Sequence, residues 1–168
     1  LYLNDGKARF RDASDRLPGR AVSNGAVAVD IDADGDLDLV IANAGADEVL
    51  VNDGRGNFTD ESSKRLPADT DVSQDVAAGD LDGDGDGDIV FGNENGNRAL
   101  LNDGQGVFKA LADDAWPAAT EETRKASLGD VDGDGDLDIH LANVRFFQAQ
   151  TPSAQDRLLL NDGEARFT

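Results

Sequence analysis

The sequence has no cysteine and no methionine, and only one histidine, one tryptophan and one tyrosine. Without cysteine no disulfide framework exists, and cysteine usage leaves the redox compartment undetermined. The lone His140 has no second His or Cys with which to hold a transition metal, and it lies outside any Gly-x-Ser-x-Gly context, which argues against a serine hydrolase. Basic residues are scarce: Lys and Arg number 15 against 35 Asp and Glu, with no basic patch, so nucleic acid is not an expected partner. No apolar run approaches membrane-spanning length, so no membrane insertion is expected. No segment sustains a 3.6-residue period, which excludes helical solenoids.

The acidity is local. Three nonapeptides, Asp30–Asp38 (DIDADGDLD), Asp80–Asp88 (DLDGDGDGD) and Asp130–Asp138 (DVDGDGDLD), hold 15 of the 35 acids, leaving 20 acids against 15 bases, or −5 of the total −20. In each, positions 1, 3, 5, 7 and 9 are aspartate: Asp30, Asp32, Asp34, Asp36 and Asp38; Asp80, Asp82, Asp84, Asp86 and Asp88; Asp130, Asp132, Asp134, Asp136 and Asp138. Along an extended strand these side chains would form a row of like charges. Glycine at position 6 (Gly35, Gly85, Gly135) permits the turn that converts the row into a cup. Carboxylates about 5 Å apart repel by about 3 kcal/mol per pair at an effective dielectric near 20, so a converged cup calls for a cation. Calcium is the ion such oxygen-rich loops suit, one per loop, with ligands from side chains at positions 1, 3, 5 and 9 and the carbonyl at position 7. The position-7 side chains are expected to point away, serving solvation or hydrogen bonding around the ligands.

The residues after each loop separate this motif from its neighbours. An EF-hand needs a bidentate Glu at position 12, where Ile41, Phe91 and Leu141 stand. The apolar runs LDLVIAN, GDIVFGN and LDIHLAN read as strands rather than helices, and the 50-residue spacing excludes tandem nonapeptide repeats.

A second motif alternates with the first. Asn-Asp-Gly occurs at 4–6, 52–54, 102–104 and 161–163, each preceded by leucine or valine and followed by Phe10, Phe58, Phe108 or Phe167. Between apolar stretches it signals a hairpin turn. Each unit then has four short strands: one of small residues leading into the Asp loop, one leaving it, one before Asn-Asp-Gly and one carrying the Phe. The expected fold is all-β, a β-propeller segment of about three and a half four-stranded blades: 1–20 as the outer hairpin of a preceding blade, then 21–70, 71–120 and 121–168. Stacked β-solenoid repeats are much shorter.

The Asp loop, the strand after it and the Asn-Asp-Gly hairpin resemble FG-GAP/VCBS repeats, the blades of integrin-α-like propellers. FRDASDRLP and FTDESSKRLP are most similar to blades of the bacterial VCBS and cartilage acidic protein type. The resemblance implies an extracellular, cell-surface or periplasmic location, where millimolar calcium suits sites of about 10⁻⁴ to 10⁻³ M affinity. It also implies a binding scaffold for adhesion or recognition. The rival it brings is a calcium-assisted polysaccharide lyase, which would need a basic or aromatic cleft opposite the calcium face.

Strand alternation places the Asp loops and Asn-Asp-Gly turns on one face. The longer, variable connections lie on the other, where a protein or glycan ligand is expected. Phe146 and Phe147, in the long connection after Asn143, are a candidate platform there or a cover for their own blade edge. Trp116-Pro117 falls where other units have Leu17-Pro18 and Leu66-Pro67, so Trp116 reads as a packing residue. His140, in the place of Val40 and Val90, reads as a packing variant. Three and a half blades do not close a ring, so the pattern predicts part of a larger propeller whose open flanks would self-associate in isolation.

Overall fold

After each Asp loop, alternate residues are apolar (Leu39 and Ile41, Ile89 and Phe91, Ile139 and Leu141), the two-residue period of a strand with one face packed. The computed structural model describes residues 1–18, 21–68, 70–112, 114–117, 122–144 and 155–168 and shows an all-β protein of antiparallel sheets. A hairpin of β1 (Tyr2–Asn4) and β2 (Phe10–Asp12) precedes a four-stranded sheet of β3 (Ser23–Val29), β4 (Asp38–Asn43), β5 (Glu48–Asn52) and β6 (Phe58–Asp60), paired in chain order. The next sheet repeats that order with β7 (Ser73–Gly79), β8 (Asp88–Asn93), β9 (Arg98–Asn102) and β10 (Phe108–Ala110). The last has β11 (Glu122–Gly129), β12 (Asp138–Val144) and β13 (Arg157–Leu159). Its expected fourth strand contracts to a single bridge between Asn161 and Phe167, where the Phe167 N–H donates to the Ala115 carbonyl at 2.9 Å. Two short turns of helix that the sequence pattern did not predict, Ser14–Arg16 and α1 (Ser62–Arg65), follow the strands carrying Phe10 and Phe58.

Register is the same in all three units. Val29 pairs with Asp38, Gly79 with Asp88 and Gly129 with Asp138, so each Asp loop is closed at its base by a strand pair. Each first strand carries an irregularity at the same place, between Ser23 and Gly25, Ser73 and Asp75, and Thr123 and Lys125.

The first strands lie side by side, β3 against β7 and β7 against β11. Their small residues follow from that closeness: a Cβ on Gly25 would stand 3.0 Å from the Asp75 Cα. The core lies between sheets. Val40, Ala42 and Val49 of one sheet meet Ile89, Phe91, Leu100 and Phe108 of the next. Val90 and Ala99 from the other side of that sheet meet Ile139, Leu141, Leu159 and Phe167. Trp116 packs here as well, its ring edge-on to Phe167 at 5.6 Å between centroids, while His140 is largely exposed rather than buried like Val40 and Val90. Phe146 and Phe147 lie outside the described residues.

Candidate metal centres

Two left-handed residues fold each Asp loop. Position 6 has φ of 92°, 96° and 103° at Gly35, Gly85 and Gly135, and position 4 has φ of 75° and 85° at Gly83 and Gly133. In the first loop position 4 is Ala33, at φ 57°, a conformation costing an L-residue about 1–2 kcal/mol. Ala33→Gly is therefore expected to stabilise the protein, by a few tenths to about 1 kcal/mol once glycine's greater unfolded-state entropy is subtracted. Denaturant melts that show a loss would refute this account of the loop.

The turns bring carboxylates at positions 1, 3 and 9 together. One oxygen from each of Asp30, Asp32 and Asp38 lies within 4.8 Å of the others, and the same holds for Asp80, Asp82 and Asp88 and for Asp130, Asp132 and Asp138. Two oxygens held by one Ca²⁺ at about 2.4 Å are at most about 4.8 Å apart, so the spacing fits that ion. The position-5 carboxylates fall outside these groups. Asp34, Asp84 and Asp134 accept the position-7 N–H at 2.9, 2.9 and 3.0 Å. At position 7, Asp36, Asp86 and Asp136 lie over the α-carbons of Gly54, Gly104 and Gly163, where any Cβ would collide with the carboxylate.

Position 9 does more than face the cup. Asp88 is buried; its Oδ2 accepts the Leu81 N–H and its Oδ1 the Asn102 N–H, both at 2.8 Å. Asp38 and Asp138 bind Ile31 with Asn52, and Val131 with Asn161, in the same way. The loop and the Asn-Asp-Gly turn are thereby one hydrogen-bonded body on one face. Burial raises the Asp88 carboxyl to about 6 against the pull of those N–H groups, with the charges of Asp82 and Asp84 adding to the rise. Burial likewise raises Asp38, Asp82 and Asp132. The fold gathers carboxylates where their negative charge is disfavoured, and in the first loop Asp30 Oδ1 and Asp32 Oδ1 are buried with no hydrogen-bond partner. Such a donor set fits a hard divalent cation.

The FG-GAP-like repeat family matches residues 30–91 and again residues 80–141, each match running from one Asp loop through the next. The chain belongs to this family. None of the curated proteins compared matches it. The FG-GAP repeat seen here contains two contacts that the sequence pattern alone did not disclose. The first is made by the asparagine of the turn, whose Nδ2 reaches the preceding unit: Asn102 donates to the Ile31 carbonyl and Asn161 to the Leu81 carbonyl, both at 2.8 Å. The second is Arg65, which runs back to the loop face, donating to Asp32 Oδ2 at 3.0 Å and to the Gln105 carbonyl at 2.7 Å. The corresponding place before Trp116-Pro117 holds Ala115, so the contact made by Arg65 is not repeated from that position in the next unit.

On the face opposite the loops, the β4–β5 connection and α1 enclose a cavity of about 380 Å³ lined in part by Asp47, Ser63, Leu66 and Arg98. Asp47 is buried and accepts from the Asn43 N–H, the Ser73 hydroxyl and Arg98 Nη2, each at 2.9 Å, and the Arg98 guanidinium lies 5.2 Å from the Phe91 ring centroid. A sequence signal for this turn exists: Asn43 and Asn93 are each followed four residues later by a side chain, Asp47 or Asn97, that accepts their N–H.

Proposed function

We propose that this FG-GAP protein is a calcium-stabilised propeller-type scaffold, with one Ca²⁺ in each Asp loop and a protein or glycan ligand on the opposite face. The observation that carries the reading is the threefold convergence of carboxylates at positions 1, 3 and 9 within 4.8 Å. Sheets of equal register stacked by their first strands support the propeller, and the Asp47–Arg98 cavity, polar groups set in apolar walls, supports a ligand on that face. No described helix is long and apolar enough to cross a membrane, and the extracellular, cell-surface or periplasmic location proposed here rests on the family and on the calcium such compartments supply.

Equilibrium dialysis against ⁴⁵Ca tests the metal reading. Saturation at three ions per chain is expected, and binding of none would sink it. Within the second loop, Asp84→Ala is expected to weaken calcium more than Asp86→Ala, because the proposed ligand set includes the position-5 carboxylate and takes only the carbonyl of position 7. Equal losses would mean that position 5 keeps its turn-closing role and is no ligand.

A further inference from the structure

The fold brings a cation of its own to the first Asp loop. The Arg65 side chain is only 12% exposed, and its three nitrogens are all engaged: Nε donates to Glu61 Oε2 at 2.9 Å, Nη1 to the Gln105 carbonyl at 2.7 Å and Nη2 to Asp32 Oδ2 at 3.0 Å. The place is built to receive it, since a Cβ on Gly106 would collide with Nη1. Arg16 makes the same reach one unit earlier: its Nη1 donates to the Arg55 carbonyl at 2.8 Å, beside Gly56. Each arginine thus takes the carbonyl of the residue that follows Asn-Asp-Gly in the next turn, and Arg65 adds to this the bond to Asp32.

Asp32 is position 3 of the first loop, one of the three carboxylates that converge within 4.8 Å. Arg65 holds its Oδ2, while its Oδ1 is buried with no hydrogen-bond partner among the described residues and is the oxygen that remains for an ion. A guanidinium and a Ca²⁺ on one carboxylate are like charges at close range. Affinity in oxygen-ligand calcium loops is set by the negative charge of the ligand set and by the rigidity of the site, and Arg65 acts on the two in opposite senses. It offsets the charge of one carboxylate, and it fixes that carboxylate in place. Repulsion between a singly and a doubly charged cation sharing a carboxylate outweighs the freedom saved on one short side chain, so the charge decides the sign. We propose that Arg65 is a tethered counter-ion of the first loop: it relieves the carboxylate repulsion there, keeps the loop closed when calcium is scarce, and weakens calcium at that site. The inference rests on the calcium reading above and adds to it the group that sets the affinity of one site. Because Nη1 holds the Gln105 carbonyl, the charge balance of the loop and a contact between two units share one side chain.

Each loop carries its own reporter, because the position-6 glycine N–H donates to the position-1 carboxylate: Gly35 to Asp30 at 3.0 Å, Gly85 to Asp80 at 3.0 Å and Gly135 to Asp130 at 3.2 Å. Calcium titration of the ¹⁵N-labelled protein, followed at these three amides by NMR, reads the loops separately. In Arg65→Gln, which removes the charge, the Gly35 midpoint is expected to fall to about one tenth of the wild-type calcium concentration while the Gly135 midpoint stays where it was. Arg65→Lys, which keeps the charge, is expected to stay close to the wild-type midpoint. In excess chelator the Gly35 amide of Arg65→Gln is expected to exchange with solvent several-fold faster than in the wild type, with Gly135 unchanged. Arg65→Ala, with the residue that stands at the corresponding position 115, replaces Arg65→Gln should the latter lose the folded spectrum. A Gly35 midpoint that rises or does not move on loss of the charge, a fall that Arg65→Lys shares in full, or unchanged exchange in chelator would each overturn the proposal and leave calcium in the loops standing. Three amides indifferent to calcium would overturn the calcium reading and this proposal with it.

Discussion

Thermal melts in saturating calcium and in excess chelator are expected to differ by about 10 °C. Free calcium at ten times the dissociation constant stabilises a folded-state site by about 1.4 kcal/mol, so three sites contribute about 4 kcal/mol. For a chain of this size each kcal/mol moves the midpoint by about 2–4 °C. The source of the effect is visible in the loops: carboxylates at positions 1, 3 and 9 converge within 4.8 Å, and burial disfavours the charge of Asp88 and Asp38. Removing the ion leaves that repulsion in the folded state while the unfolded chain disperses it. Magnesium, which demands near-octahedral geometry and sheds water reluctantly, is expected to restore less of the shift. Superimposable calcium and chelator melts would show that the loops hold together through their own N–H bonds.

Asn102→Ala is expected to destabilise the protein by about 2–4 kcal/mol, far more than a turn residue ordinarily would. Asn102 is nearly buried; its Nδ2 serves the Ile31 carbonyl at 2.8 Å and the Gly87 carbonyl at 3.3 Å, and its Oδ1 accepts the Gly106 N–H at 2.9 Å and the Gly104 N–H at 3.2 Å. Alanine leaves those groups unpaired in a site with little water. Asn52 is the internal control: it bonds the Leu37 carbonyl and the Gly56 N–H within its own unit. Asn52→Ala is expected to cost about half as much, the difference measuring the bond between units. Equal costs in urea melts would mean that the cross-unit bond contributes nothing net.

The repeating local parts were legible in the sequence because each is fixed by neighbours within a few residues. Aspartate at every second position with glycine at the sixth describes the cup, and Asn-Asp-Gly before a phenylalanine describes the hairpin, down to Asn102 pairing with Phe108. The position-7 carboxylate lying over the turn glycine, the reach of Arg65 to Asp32 and the burial of Asp47 under Arg98 were not legible. The first recurs in every unit but joins two separate motifs, and the other two join residues of different motifs far apart in the chain, Arg65 and Asp32, 33 apart, and Asp47 and Arg98, 51 apart. His140 illustrates the same limit. Its strand position was clear, but whether that position is buried depends on whether a further unit covers it, and the face it occupies is open.

The asparagine bond also puts a direction on folding. The Ile31 carbonyl is held by a side chain 71 residues later, and the Leu81 carbonyl by one 80 residues later. During synthesis the first loop is therefore made well before the residue that seals it, and must wait through the whole of the next unit. Completion passes from the amino end toward the carboxyl end, each unit locked by its successor, and contacts of such long range are slow to form. An early-emerging acidic loop is thus open to water for that interval, before the next unit's asparagine reaches it.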